Sequence, residues 1–211
     1  MQWYQREEPM ARGRPQLVLD VGGVLLSDLT PSFWHWIAAQ AAAPYDEILA
    51  QFRRDAREAL WTGALTEGEF WGWLCATFPA VDGGGARARL AAILTPLPAL
   101  TRLATWAQSA DIHLLSNHRA EWVTPALDGF LGHVTSVTIS STVGYCKPHP
   151  AIYDAVASRL LPGPVTVYVD DQEKNFPPAS ALGWKTVRAD ARGDWVSALH
   201  ISLDEGYWGP I

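Results

Sequence analysis

Cysteine is almost absent from this chain, which carries only Cys75 and Cys146. Two cysteines so far apart have no metal-ligand spacing and build no disulfide framework. A reducing, cytoplasmic setting is the expectation. Cys146 stands next to Lys147, which favours a thiolate, although a lone cysteine ordinarily behaves as a small apolar residue. Basic runs are absent too. Sixteen Lys and Arg face 22 Asp and Glu, a net charge of -6 at pH 7, and nothing resembles the basic track that follows a nucleic-acid backbone. No apolar stretch is long enough to span a bilayer. Residues 1–15 lack the apolar centre of a signal peptide and read as a loose extension. There is no internal repeat and no low-complexity tract. Neither a nucleic-acid nor a membrane partner is expected, and no feature specifies an oligomeric state.

What remains is rich in apolar and aromatic residues. The apolar fraction is 48% of 211 residues, enough for one sizeable core with a small insertion. Of 11 tryptophans, Trp34, Trp36, Trp61, Trp71, Trp73 and Trp106 fall between residues 30 and 108. Core filling in a small helical unit is the expected role for most; lining a substrate pocket is the alternative.

Gln16 to Val21 reads as a buried strand. From Thr30 to Gln108 β-branched runs disappear and Ala, Leu, Glu, Arg and Trp dominate. Helical spacing of apolar residues predicts helices over Phe33–Ala42 and Tyr45–Trp61, the second with Arg53, Arg54, Asp55, Arg57 and Glu58 mostly on its outer face. Gly63 ends that helix, and Thr66 with Glu69 forms a capping box that opens the next. Asp82-Gly83-Gly84-Gly85 reads as a loop. Helices follow over Ala86–Leu94 and Leu100–Gln108. Strands are then expected at Asp111–Ser116, Val134–Ser140, Val165–Asp170 and Lys185–Arg188, with helices at Ala120–Leu127, Ala151–Leu160 and Ala179–Leu182. Strands alternating with helices indicate an α/β protein with a parallel sheet. The expected organisation is a discontinuous core over 16–29 and 109–200, an all-helical insertion over 30–108, and a tail over 201–211.

Four segments carry chemistry: LVLDVGGVL, HLLSN, GYCKP and VYVDDQEKN. Each ends an apolar run in polar residues, and the carboxyl ends of parallel strands are where open α/β sheets bind ligands. Asp20 is a candidate nucleophile toward phosphorus or a turn cap. Gly22 and Gly23 let the chain turn and bring backbone N–H groups near a ligand. Ser116 and Asn117 suit a phosphate oxygen or a helix N-cap. Lys147, held by the following Pro148, is a fixed cation or a surface lysine. Asp170 and Asp171 repel each other unless a hard cation such as Mg²⁺ sits between them, and Asn175 can brace either.

Taken in order from Leu17 to about Arg188, these segments resemble the haloacid dehalogenase-like superfamily of phosphohydrolases. The stretch LWTGALTEGEFW resembles the helical cap of its glucose-1-phosphate phosphatase-like members, which also carry a Gly in the first motif. The resemblance implies a Rossmann-like three-layer α/β/α core with an inserted helical cap. It further implies a Mg²⁺-dependent phosphatase for a small phosphorylated metabolite, a sugar phosphate among the candidates. Asp20 would form an aspartyl-phosphate. Asp20, the Gly22 carbonyl and Asp171 would bind the metal, with Asp170 beside them. Ser116 and Lys147 would hold the phosphoryl group.

One departure matters. The superfamily's first motif usually has Asp where Gly22 stands, and that Asp supplies general acid–base help, typically worth about 10²–10⁴-fold. His118 and Asp28 are the candidate substitutes, with bland alternatives as a helix start and a loop cap. A slow enzyme, a non-catalytic binding or regulatory module, and a 2-haloacid dehalogenase are the competing outcomes. The last needs no metal, which fits Asp170-Asp171 poorly.

Overall fold

A computed structural model describes residues 13–190 and 192–206. Its centre is a five-stranded, wholly parallel sheet in the order β3-β2-β1-β4-β5. The strands are β1 (Gln16–Leu19), β2 (Asp111–Ser116), β3 (Ser136–Ile139), β4 (Thr166–Asp170) and β5 (Lys185–Arg188). β1 is central because it is apolar on both faces, as a covered parallel strand must be. Leu17 and Leu19 join Ile112, Leu114, Val167 and Val169 in one core. Val18 faces the other way, with Leu115, Tyr168, Ile152 and Tyr153. The register aligns Leu19 with Val169, so Asp20 and Asp170 both stand one residue further on, at the same level of neighbouring strands.

The chain between β1 and β2 opens with five helices: α1 (Ser32–Ala41), α2 (Tyr45–Asp55), α3 (Arg57–Thr62), α4 (Glu67–Thr77) and α5 (Gly83–Ile93). The single helix expected over Tyr45–Trp61 is broken at Ala56, whose φ of -133° is not helical. Gly63 caps α3 with φ 81°, and a Cβ there would lie 2.1 Å from the Ser141 carbonyl oxygen. Only glycine fits. The capping box of Thr66 and Glu69 opens α4. Gly83–Gly85 form the first turn of α5 instead of a loop, because Asp82 accepts from Gly85 N at 2.7 Å and Gly84 N at 3.3 Å. Such a cap outweighs the poor helix propensity of glycine.

The expected helix over Leu100–Gln108 is a 3₁₀ turn (Leu100–Arg102) leading into α6 (Leu103–Trp106). The remaining helices are α7 (Ala120–Leu127), α8 (Ser140–Val143), α9 (Pro150–Ala157), α10 (Phe176–Ala181) and α11 (Asp194–Glu205). α11 runs across the boundary expected at 200: Leu199 and Leu203 are both buried, and Trp195 packs against Trp106 with ring centroids 6.2 Å apart. The tail beyond 206 and the extension before 13 lie outside the described residues. Arg14 is not loose; it donates to the Ala110 carbonyl at 2.7 Å and pairs with Asp111 at 3.3 Å.

Most tryptophans between β1 and β2 fill the core, with Trp34, Trp71 and Trp106 buried and Trp36 and Trp73 packed against them. No helix among the described residues is long and apolar enough to cross a membrane.

Candidate active site

The four segments meet at the carboxyl ends of β1, β2 and β4. Asp20 follows β1, is 5% exposed, and accepts from the Val21 N–H at 2.7 Å. Lys147, also 5% exposed, places its Nζ 2.8 Å from Asp20 Oδ2 and 2.7 Å from Asp170 Oδ2. Lys147 is therefore a fixed cation between two carboxylates and not a surface lysine. Burial works against its charge, but Asp20 and Asp170 overcome it and lift its pKa to about 12. Burial pushes the Asp20 carboxyl upward and Lys147 opposes it; the ion pair needs the carboxylate form.

The adjacent Asp170 and Asp171 differ. Asp170 is fully buried and held on all sides. It accepts from Lys147 Nζ, from Asn175 Nδ2 at 2.9 and 3.0 Å, from the Gln172 N–H at 2.8 Å, and from the Tyr168 hydroxyl. Burial would raise its pKa, but Lys147 and these donors leave it below the ordinary value. Asp171 is half-buried, and from other side chains among the described residues it accepts one long hydrogen bond, 3.4 Å from Gln172 Nε2. Burial and the neighbouring Asp170 raise its pKa. Asp20, Asp170 and Asp171 each present an oxygen within 4.8 Å of the others. An all-carboxylate cluster of this kind fits a hard cation, and Asp171 has the coordination to spare. Asn175 Oδ1 is buried and without a partner among the described residues. Tyr168 was hidden by the sequence, where it reads as one more apolar strand residue.

Ser116 ends β2, completely buried, and its Oγ lies 2.7 Å from His118 Nδ1. Neither Ser116 nor Asn117 caps α7, whose N-cap is Arg119. The Asn117 side chain is engaged on the chain around Lys147: its Nδ2 donates to the Lys147 carbonyl at 2.9 Å and its Oδ1 accepts from the Lys147 N–H at 2.7 Å. Asn117 thus holds the lysine, with one amide hydrogen and its backbone left over. Gly23 has φ 73°, and its N–H closes the turn by donating to the Leu26 carbonyl at 2.8 Å, so it is not aimed at a ligand. A Cβ on Gly23 would meet Asp171 Cγ at 2.8 Å.

Gly22 sits against both candidate substitutes for the missing carboxylate. A Cβ built on it would meet His118 Cε1 at 2.8 Å and Asp28 Oδ1 at 3.2 Å. The space an aspartate would take is already bordered by an imidazole and a carboxyl group. Burial, with help from Lys147, holds the His118 pKa down at about 4. Asp28 opens onto the cavity, yet crowding by its walls, with Asp171 and Asp170 adding to it, lifts its pKa to about 6.

These groups line a cavity of about 1190 Å³ whose opposite wall is α2 and α3. Phe52, Arg53, Arg57, Glu58 and Trp61 face it. Arg54 does not; it binds Asp55 at 2.9 Å and also Gln51. Cys146 lines the cavity too, but burial raises its pKa, against a thiolate role. A smaller cavity of about 360 Å³ lies at the other end of the sheet, near Arg14 and Asp111, without a convergent set of reactive groups.

Known proteins share this fold. No curated protein matches the chain. Among solved structures, a HAD family enzyme, bt-2542 from Bacteroides thetaiotaomicron, superposes with a TM-score of 0.77 at 22% identity, covering 89% of this chain and 99% of that one. The same enzyme in complex with magnesium and inorganic phosphate gives 0.73 at 23% identity, covering 88% and 99%. A predicted HAD-like family hydrolase from Porphyromonas gingivalis gives 0.73 at 21% identity, covering 90% and 98%. The haloacid dehalogenase-like hydrolase family matches residues 17–183. This chain, with its strand-end carboxylates and its helices between β1 and β2, belongs to the haloacid dehalogenase-like hydrolases.

Proposed function

We propose that this protein is a Mg²⁺-dependent phosphatase for a small phosphomonoester, a sugar phosphate among the candidates. The carrying observation is the meeting of Asp20, Lys147, Asp170 and Asp171 at one point. Asp20 attacks phosphorus and forms an aspartyl-phosphate while the substrate oxygen leaves; water then releases phosphate and restores the carboxylate. Asp20, the Gly22 carbonyl and Asp171 are the residues for the metal. Asp170, braced by Asn175, Tyr168 and the Gln172 N–H, supports the cluster from behind. Held there, Mg²⁺ would neutralise charge on the phosphoryl oxygens. Lys147 adds a second positive charge on the same oxygens, positioned through its backbone by Asn117.

The work of the missing aspartate divides between two side chains. If Ser116 donates its hydroxyl hydrogen to the phosphoryl group, it must accept from His118 Nδ1–H. His118 Nε2 is then an unprotonated acceptor, suited to take a proton from water. Asp28, with its raised pKa, is suited to give a proton to the leaving oxygen.

The competing reading, a module that binds without turnover, rests on Gly22. The bordering His118 and Asp28 favour catalysis. A dehalogenase fits the carboxylate cluster poorly, and halide release in EDTA would mark one. The deciding experiment is phosphate release from p-nitrophenyl phosphate with Mg²⁺, with EDTA, and with the Asp20→Asn variant. Metal-dependent release is expected to vanish in the variant. Equal release from pure variant protein would refute the nucleophile, and no release from the wild type would favour the binding module.

A further inference from the structure

Arg53 and Arg57 are not explained by the phosphoryl chemistry. They stand four residues apart on either side of the break at Ala56, and both face the cavity opposite Asp20. Among the described residues neither side chain makes a hydrogen bond or an ion pair. Nearby arginines are engaged: Arg54 binds Asp55 and Gln51, Arg87 lies 5.2 Å over the Trp71 ring, and Arg119 pairs with Glu121 at 2.7 Å. Arg57 lines the cavity together with Cys146 and Lys147. The same wall offers a single carboxylate, Glu58. Phe52 and Trp61 flank the pair as an apolar, low-dielectric surface, which strengthens a charge contact made there. The phosphoryl group itself is already matched by Lys147 and the metal cluster. Two free guanidiniums on the far wall therefore meet whatever the phosphoryl group is attached to.

Resting on the phosphomonoester reading, we infer that the leaving group carries a second anionic group, a carboxylate or another phosphate, which Arg53 and Arg57 recognise. Guanidinium forks suit both.

Phosphonates test this without turnover. 3-Phosphonopropanoate and propylphosphonate share the phosphoryl mimic and differ in the second anion. Calorimetry with Mg²⁺ is expected to give the carboxylated ligand about 10- to 100-fold tighter binding, the yield of one charge-assisted hydrogen bond. In Arg53→Gln/Arg57→Gln the two affinities should converge, with the thermal midpoint unchanged. Equal affinities in the wild type, or a preference that survives in the double variant, would overturn the inference. So would failure to bind either phosphonate by protein that hydrolyses p-nitrophenyl phosphate. Failure of the phosphatase reading is read separately, as absence of that hydrolysis. An inorganic phosphate titration separates the sources of affinity: it should be insensitive to the double variant, and an equal loss there would assign the arginines to the phosphoryl group instead.

Discussion

The two walls of the cavity hold their charges in opposite ways. On the sheet side, Asp20, Lys147 and Asp170 are buried and each is locked by hydrogen bonds of 2.7–2.8 Å to the next. On the helical side, Arg53, Arg57 and Glu58 are exposed and carried on an aromatic cluster in which Trp34 and Phe52 pack with centroids 4.2 Å apart and ring planes tilted by 30°. The sheet wall spends aliphatic packing on fixing a few polar atoms where strands end. The helical wall spends tryptophan and phenylalanine on a rigid platform and leaves its polar ends in water. Reacting groups need preorganisation, because a small misplacement costs rate. Recognition groups can stay solvated until a ligand arrives, at little cost to the free protein.

The sharpest way to break this contrast is to remove one charge from each wall. Lys147→Met leaves Asp20 and Asp170 buried without their shared cation. Breaking a buried pair costs about 3–5 kcal/mol, whereas Arg53→Gln, a surface change, should stay within about 0.5 kcal/mol. Urea denaturation of both variants measures the difference. Similar midpoints would mean that the sheet wall is no more committed than the helical one.

A second test concerns the space beside Gly22. If Asp28 protonates the leaving oxygen, Asp28→Asn should slow alkyl phosphates by about 10²–10⁴-fold and aryl phosphates far less, since phenolate leaves unaided. The pH profile carries the sign. Asp28 must be protonated to act, and its pKa is raised from 3.8 to about 6. Alkyl phosphate turnover should therefore decline as pH rises through about 6, or through a lower value once a cation's charge draws the carboxyl down. The variant should lose that limb. Equal losses on both ester types would remove Asp28 from the acid role and leave it as a wall residue.

How much of this was legible in the chain follows the same divide. Strand ends could be read because a run such as Leu17-Val18-Leu19 must be buried on both faces, and Asp20 then has only one place to go. The sheet and the meeting of the four segments follow from that logic, and membership from the resemblance of those segments in their order. The helical side was harder. Nothing at Ala56 announces a break, since neither Gly nor Pro is there. Gly83–Gly85 looked like a loop because the cap on Asp82 decides the matter, not the glycines. Arg53 and Arg54 are neighbours on a charged stripe, and only the rotation of α2 against the cavity separates them. α11 went unseen, although Trp195, Val196, Leu199 and Leu203 recur at helical spacing. The clamp of Asn117 on Lys147 spans 30 residues of chain and has no local sign.

The smallest expected effect probes the seam where the walls join. Glu67, in the first turn of α4, accepts from the indole N–H of Trp71 at 3.0 Å and of Trp122 at 2.9 Å. Trp122 belongs to α7 on the sheet side, so one carboxylate oxygen ties the aromatic platform to the core. Arg119 adds bonds to the Leu60 and Leu65 carbonyls from the same side. A lid free to swing would not be expected to carry several partly buried polar ties of this kind. Glu67→Ala leaves two indole donors without their partner and should cost about 1–3 kcal/mol, while Glu67→Gln, which keeps an acceptor oxygen, should cost less. Both are read from urea midpoints, with tryptophan fluorescence reporting the seam itself. If Ala and Gln behave alike and neither shifts the emission, the seam is held by packing alone, and the helical wall is freer to move over the site than its hydrogen bonds imply.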